Sequence, residues 1–154
     1  MSVNNINVKK EVRKGGVNKT EIWFADLIIN EVSLYKLLKD RGFDLISCLG
    51  WSFIDIQQNE IDKFLLKGLP DFKNYRYAIY VCPECGDLGC GAISIKIERQ
   101  GEIVIWSDFG FEDNLEIEAV KYDKLKDIGP FYFRYDNYEG IIKSTLNMGD
   151  TFSR

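Results

Sequence analysis

The chain has 154 residues, 45% of them hydrophobic and 29% charged, and a formal net charge of −4. This length allows one domain with a complete core but not two, so we expect residues 1–154 to form a single globular domain. The charged fraction is ordinary, which argues against a disordered chain. No apolar run approaches the roughly 20 residues of a membrane-spanning helix, which argues against a membrane protein.

The first half of the chain shows alternating strand and helix patterns. We predict strands over residues 6–12 and 21–29 and helices over residues 34–39 and 58–67. Ser33 is suited to cap the first helix, because its hydroxyl can accept a hydrogen bond from the first turn. Gly68 and Pro70 favour an end to the second helix. Residues 1–20 carry five basic residues against one acidic residue, a net charge of +4, and form either an edge strand or a loosely attached basic arm.

The second half of the chain has clearer strand patterns. We predict strands over residues 75–82, 92–98, 102–109 and 131–135, and a closing helix over residues 138–147. The closing helix would place Tyr138, Ile141 and Ile142 on one stripe. Together these elements predict an α+β fold, a mainly antiparallel β-sheet with two or three short helices packed on one face.

Histidine is absent from the chain. This removes the most common general base and the Ser–His and Cys–His nucleophile pairs, so the sequence disfavours an enzyme. Residues 1–5 show neither the basic leader nor the apolar segment of a secretory signal. We therefore expect a cytoplasmic protein, whose cysteines more often bind metal or serve redox chemistry than form structural disulfides.

Three of the four cysteines lie in the segment Cys82–Gly91, which reads C-P-E-C-G-D-L-G-C-G. Its C-x2-C spacing allows two thiolates to face one centre, and its glycines allow the backbone to turn tightly around that centre. Three interpretations are open for this segment: a metal site, a redox pair, and a structural connection between two strands.

The metal interpretation brings Cys82, Cys85 and Cys90 to one zinc ion. A structural zinc ion requires four ligands, and without histidine the fourth would be Cys48, Asp87 or water. The sequence therefore predicts either no cofactor or one zinc ion.

The redox interpretation rests on the C-P-x-C pattern of Cys82 and Cys85. Such pairs depend on a helix N-terminus that lowers the pKa of the first thiol, and the residues after Cys85 are a poor helix start. In the structural interpretation, Cys82 and Cys90 are small apolar residues at the ends of two strands. The sequence favours this third interpretation.

Six acidic residues and no basic residue lie between Glu102 and Glu118. Such a cluster repels phosphate backbones, so we expect a basic protein partner and no nucleic acid. Aromatic side chains anchor protein interfaces and acidic ones steer basic partners to them. The predicted contact residues of this acidic aromatic edge are Trp106, Asp108, Phe109, Glu112, Asp113 and Glu116.

Two segments of the chain carry a family resemblance, C-P-E-C-G-D-L-G-C-G-A from Cys82 and W-S-D-F-G-F-E from Trp106. With these segments the chain resembles a family of small, largely uncharacterised bacterial proteins that are sometimes labelled oxidoreductases. The resemblance covers residues 75–142 and implies no catalytic residue. In its acidity and aromatic content the chain is also similar in style to the immunity proteins that neutralise bacterial toxins.

The sequence thus favours a non-enzymatic binding protein, most concretely a toxin-neutralising immunity protein or a similar inhibitor acting through the acidic aromatic edge. The alternative is a cysteine-dependent oxidoreductase or a small zinc-binding protein centred on Cys82, Cys85 and Cys90.

Overall fold

A computed structural model describes residues 2–84, 86, 88–113 and 120–154 of the chain. These residues form ten strands and three helices. The strands are β1 (Ile6–Arg13), β2 (Ile22–Ile29), β3 (Val32–Ser33), β4 (Ile46–Ser47), β5 (Ser52–Phe53), β6 (Tyr77–Val81), β7 (Ala92–Gln100), β8 (Ile103–Glu112), β9 (Phe131–Arg134) and β10 (Thr151–Phe152). The helices are α1 (Leu34–Asp40), α2 (Ile54–Phe64) and α3 (Tyr135–Lys143), and Leu88–Cys90 form a single 3-10 turn.

Two antiparallel sheets contain eight of these strands. One has the order β1-β2-β3 and the other the order β4-β6-β7-β8-β9. The two remaining strands, β5 and β10, pair in parallel and bring Phe152 beside Phe53. This arrangement is an α+β fold, which confirms the predicted fold class. Within the basic N-terminal segment, Ile6–Arg13 form β1, which lies at the edge of its sheet and pairs with β2 along its full length.

The buried apolar side chains form one cluster whose members run from Ile6 to Ile142. Trp106 of β8 lies at the centre of its aromatic part and has no exposed surface. Its ring contacts Phe64, Phe133 and Tyr138 edge-on at centroid distances of 5.9, 5.2 and 5.9 Å. Its indole N–H donates to the Tyr138 hydroxyl at 3.1 Å, which satisfies the one polar atom of the ring.

The predicted helices form, but their ends differ from the prediction. The cap of α1 is confirmed, since the Ser33 hydroxyl accepts from the Lys36 N–H at 3.1 Å. Helix α2 begins at Ile54 instead of residue 58, and it ends before Leu66 because that residue has a left-handed φ of 62°. Helix α3 begins at Tyr135, three residues earlier than predicted.

Candidate ligand-binding cavity

A cavity of about 550 Å³ lies between α2, β6 and the cysteine–glycine loop, which we define as the described residues of the Cys82–Gly91 segment. This volume is within the range of small-ligand sites, roughly 300–1,000 Å³. Helix α2 contributes Glu60 and Lys63 to the wall, and Ala78 and Val81 of β6 line the opposite side. The loop contributes four of its residues, Pro83, Glu84, Gly86 and Leu88.

The polar part of the cavity is a cluster of Glu60, Lys63 and Asp71, which we call the carboxylate–lysine cluster. The Lys63 ammonium lies 2.7 Å from Glu60 Oε1 and 2.6 Å from Asp71 Oδ1. The second oxygen of Asp71 accepts from the Ala78 N–H at 2.9 Å, which ties the cluster to β6. Helical spacing accounts for the first pair, because side chains three positions apart are neighbours on a helix.

The second oxygen of Glu60 has no such partner. Glu60 Oε2 is buried and finds no hydrogen-bond donor among the described residues. The cluster also contains two carboxylates and only one ammonium, so one negative charge is left unbalanced in a partly buried site. A buried charge without a partner is costly, and a site of this kind favours binding of a proton or of a cationic donor.

The titration of Glu60 reflects this imbalance. Burial raises the pKa of Glu60 from 4.5 to about 7, although the neighbouring Lys63 ammonium acts in the opposite direction. Burial by itself would lower the pKa of Lys63, but Glu60 and Asp71 outweigh burial and raise that pKa. Lys63 therefore stays protonated at neutral pH, whereas Glu60 exchanges its proton near pH 7.

Aromatic side chains form the rim of the cavity. Phe152 of β10 contacts the rings of Trp51 and Phe53 at centroid distances of 6.3 and 5.6 Å. The Trp51 indole N–H donates to the Ser47 carbonyl at 2.6 Å, which fixes the ring at the edge of the cavity. Ile56 and Phe152 leave 39% and 40% of their surface exposed, so the rim presents apolar surface to a ligand.

The cysteine–glycine loop is fastened to the first hairpin by Glu84. This carboxylate accepts from the Arg13 guanidinium at 2.5 Å and from the Thr20 hydroxyl at 2.7 Å. Arg13 pairs with Asp44 as well, at 2.6 Å. Hydrogen bonds from Arg13 and Thr20 lower the pKa of Glu84 to about 2, so the fastening persists at physiological pH.

The conformation of the loop beside Trp51 favours glycine at position 86. Its φ is 67°, in the left-handed region, and a Cβ at this position would lie 3.5 Å from the Trp51 ring. Gly86, one of the glycines that made the segment conspicuous in the sequence, is thus part of the cavity wall.

The three described cysteines have different environments. Cys48 is buried in the cavity wall, where its thiol donates to the Ala78 carbonyl at 3.4 Å and burial raises its pKa well above the usual value. Cys82 is half-buried and Cys90 is exposed, and Cys85, like Asp87, lies outside the described residues. Within the described part of the chain, no three histidine, cysteine or acidic side chains are placed to bind a metal ion. The zinc site stays a prediction that these residues do not support.

Three residues of the predicted acidic aromatic edge lie inside the protein, which corrects their expected role as surface contacts. Trp106, Phe109 and Glu112 are 0%, 2% and 5% exposed. Alternation along β8 turns Trp106 into the core, and a register shift in the pairing with β7, at Asp108 with its φ of 55°, leaves Phe109 buried as well. Glu112 is held inside as the counter-ion of Arg76, with a Glu112 Oε2–Arg76 Nε distance of 3.7 Å.

The rest of the predicted edge is exposed or outside the described residues. Asp108 pairs with Lys96 at 3.0 Å, and Asp113 pairs with Lys121 at 2.6 Å. Glu116 lies outside the described residues. Asp108 and Asp113 thus remain as surface charges that a partner could meet.

Sequence reasoning missed the carboxylate–lysine cluster. The i,i+3 spacing of Glu60 and Lys63 was visible, but such pairs are common on solvated helix surfaces. Asp71 follows in an irregular segment after Pro70, and nothing in the sequence indicates that it folds back onto α2. The signal that could have found the site is the amphipathic pattern of α2, which places Glu60 beside the buried Ile61 and Phe64.

Comparison of the chain with protein-family models, with curated proteins and with solved structures finds no match. The resemblance to a family of small bacterial proteins therefore stays a prediction. Among the helices in the described residues, none has both the length and the apolar character needed to cross a membrane.

Proposed function

We propose that this chain is a non-enzymatic binding protein that recognises a basic protein partner, in the manner of an immunity protein that neutralises a toxin. The observation that carries the proposal is the unbalanced carboxylate of Glu60 in a cavity with an aromatic, partly exposed rim. Acidic charge attracts a basic partner and exposed aromatic surface gives it an anchoring point.

Long-range electrostatics support the same kind of partner. The chain carries a net charge of −4, and Asp108 and Asp113 are exposed at the surface. Negative surface potential speeds the approach of a cationic protein and is screened by salt. Within this proposal the chain acts in the cytoplasm, the compartment expected from its cysteine usage.

Neither Cys48 nor Lys63 in the cavity wall offers a nucleophile near neutral pH. The reactive form of cysteine is the thiolate, and burial raises the pKa of Cys48 so that its thiol keeps its proton. The raised pKa of Lys63 likewise leaves it as an ammonium, which is not a nucleophile.

The proposal is tested with the product of the reading frame adjacent to this gene. This product is expressed alone and together with the chain, and the association rate of the two purified proteins is measured against ionic strength. We expect a toxic product that the chain neutralises, and an association rate that falls at least about tenfold between low and high salt.

A charge-removal variant shows whether the exposed edge contributes to the association. The double substitution Asp108→Asn and Asp113→Asn should slow association, and the matched control Asp40→Asn and Asp136→Asn, at exposed positions of α1 and α3, should slow it less. The absence of a complex, or a rate indifferent to salt, would contradict the proposed function.

A further inference from the structure

We propose that the group received by the cavity is the side-chain ammonium of a lysine on the partner's surface, bound by Glu60. This inference rests on the proposed function and names the chemical group that the partner inserts. It follows from the charge of the carboxylate–lysine cluster, from the number of its free acceptors and from the shape and chemistry of the wall.

The charge balance of the cluster calls for one more cation. Glu60 and Asp71 share the single ammonium of Lys63, at 2.7 and 2.6 Å. A second ammonium would bring the cluster to two carboxylates and two ammonium groups, which is neutral. Pairing removes the cost of a buried unbalanced charge, so a cationic guest binds better than a neutral guest of the same shape.

The number of free acceptors selects an ammonium over a guanidinium. Both oxygens of Asp71 are already bonded, one to Lys63 and one to the Ala78 N–H, and Glu60 Oε1 is bonded to Lys63. Of the four carboxylate oxygens of the cluster, Glu60 Oε2 alone is without a donor in the described residues. A guanidinium binds best to two parallel acceptors, whereas an ammonium acts as a compact point charge and is suited to one.

Glu60 can present this oxygen to the cavity. Its side chain lines the cavity and is 18% exposed, while Oε2 itself is buried. The last torsion of a glutamate side chain is soft, so a rotation of the carboxylate brings Oε2 to the guest.

The rim is suited to the four-carbon stem of a lysine. Trp51, Phe53 and Phe152 offer ring faces and edges beside the cavity, and alkyl stems pack well on such surfaces while the charged end reaches a polar partner. The chain's own Arg154 already lies on the outer part of this rim, with its guanidinium 4.2 Å from the centre of the Phe53 ring. Phe53 thus already takes part in one cation–π contact, next to the Arg154–Asp55 ion pair at 2.8 Å.

Guest binding and proton binding compete at Glu60. The charged and titratable groups that line the cavity with it are Lys63, Asp71, Cys48 and Glu84. The pKa values of Lys63 and Cys48 are raised and that of Glu84 is about 2, so these three keep their protonation state near neutral pH. Glu60, with a pKa of about 7, must release its proton before it can bind an ammonium.

The test uses capped amino acids as probes and two-dimensional NMR of the full chain as the readout. The probe is Nα-acetyl-lysine N-methylamide, and the matched probe without an ammonium is the corresponding norleucine amide. The arginine amide tests the guanidinium, and putrescine tests a free polyamine as the source of the ammonium. All titrations are made at constant ionic strength, and shifts are followed at the Trp51 indole N–H and the Ala78 amide.

We expect saturable shifts with the lysine probe at millimolar concentration, and binding at least about tenfold weaker for norleucine, arginine and putrescine. The Glu60→Gln variant should lose the lysine preference, while the matched Glu98→Gln variant, altered at an exposed position of β7, should keep it. Apparent affinity should rise about tenfold from pH 6 to pH 8, because the ionised fraction of Glu60 rises by that factor.

Equal binding of lysine and norleucine, binding that Glu60→Gln leaves unchanged, or tighter binding of arginine or putrescine would overturn the inference. Its failure is distinguishable from failure of the proposed function. If the product of the adjacent reading frame is neutralised equally by the wild-type chain and by Glu60→Gln, the binding function stands and the lysine site at Glu60 falls.

Discussion

Glu60 and Asp71 contact the same ammonium but are not equivalent. Asp71 is 8% exposed at its side chain and both its oxygens are bonded, whereas one oxygen of Glu60 is without a donor in the described residues. The raised pKa therefore belongs to the carboxylate whose buried charge is least well compensated. This difference makes Glu60 the residue that responds to pH and to a ligand.

The pH dependence of stability follows from that raised pKa. Between 4.5, the ordinary value for glutamate, and about 7, the folded chain binds more protons at Glu60 than the unfolded chain does. The contribution of Glu60 protonation to the free energy of unfolding is therefore complete below pH 4.5. It is lost as the pH rises through 7, and the free energy of unfolding falls by about 3 kcal/mol. Denaturant unfolding at several pH values measures it.

In the Glu60→Gln variant this loss should disappear, since glutamine does not titrate. The Glu98→Gln variant removes the same charge at an exposed position and should follow the wild-type pH profile. A Glu60→Gln profile parallel to wild type between pH 4.5 and 7.5 would show that Glu60 is not buried in its ionised form.

The acidic edge shows where residue-level reasoning failed. A run of acidic residues without basic ones forms a charged surface only if all of its side chains face solvent. The number of charges does not show which way each side chain points. Glu112 of β8 is held inside by Arg76, which comes just before β6, a long-range pairing that the sequence does not reveal. Trp106 could be assigned either to the core or to a surface, and only its contacts with Phe64 and Tyr138 decide for the core.

At the scale of elements, the C-terminal segment is positioned by close backbone contacts. Gly149 donates to the Gly50 carbonyl at 2.8 Å, and the next amide, of Asp150, donates to the Trp23 carbonyl at 2.9 Å. A Cβ at Gly149 would lie 2.1 Å from the Trp23 carbonyl oxygen. This contact places β10, and with it Phe152, at the rim of the cavity.

The Gly149→Ala substitution should destabilise the chain by at least about 2 kcal/mol, because the new methyl group displaces backbone instead of a flexible side chain. Gly140 is the matched control. It lies within α3 and a Cβ there would meet no atom within 4 Å, so Gly140→Ala should stabilise the chain by about 0.5–1 kcal/mol. Thermal or denaturant unfolding of both variants measures the difference, and equal effects would contradict the described path of the C-terminal segment.

The strands were easier to predict from sequence than the helix ends. Alternation in β1 and the apolar runs of β6 and β7 are local signals, and these strands form where the patterns occur. The predicted start of α2 lies four residues too late. Ile54 and Ile56 in the first turn are partly exposed, so they give no strong periodic signal in the sequence. The parallel pairing of β10 with β5 joins residues about a hundred positions apart, and no local pattern predicts it.

At the scale of the whole molecule, the fold assembles the candidate site from four separate parts of the chain. The cysteine–glycine loop was recognised from its sequence, but as a metal site, a redox pair or, as the favoured interpretation, a structural connection, and not as a cavity wall. Glu84 fastens it to Arg13, seventy-one residues earlier, and Phe152 closes the opposite side. The α+β class depends on local patterns and could be predicted, whereas the cavity depends on long-range contacts and could not.

The central claim is that Glu60 carries an unbalanced buried charge that a cationic group can neutralise. Carbon-detected NMR titration of the Glu60 carboxyl, assigned with the Glu60→Gln variant, tests it most directly. We predict a midpoint near pH 7 in sodium chloride and a lower midpoint when Nα-acetyl-lysine N-methylamide is present at the same ionic strength. A midpoint near 4.5, or one that the lysine probe does not move, would contradict the account.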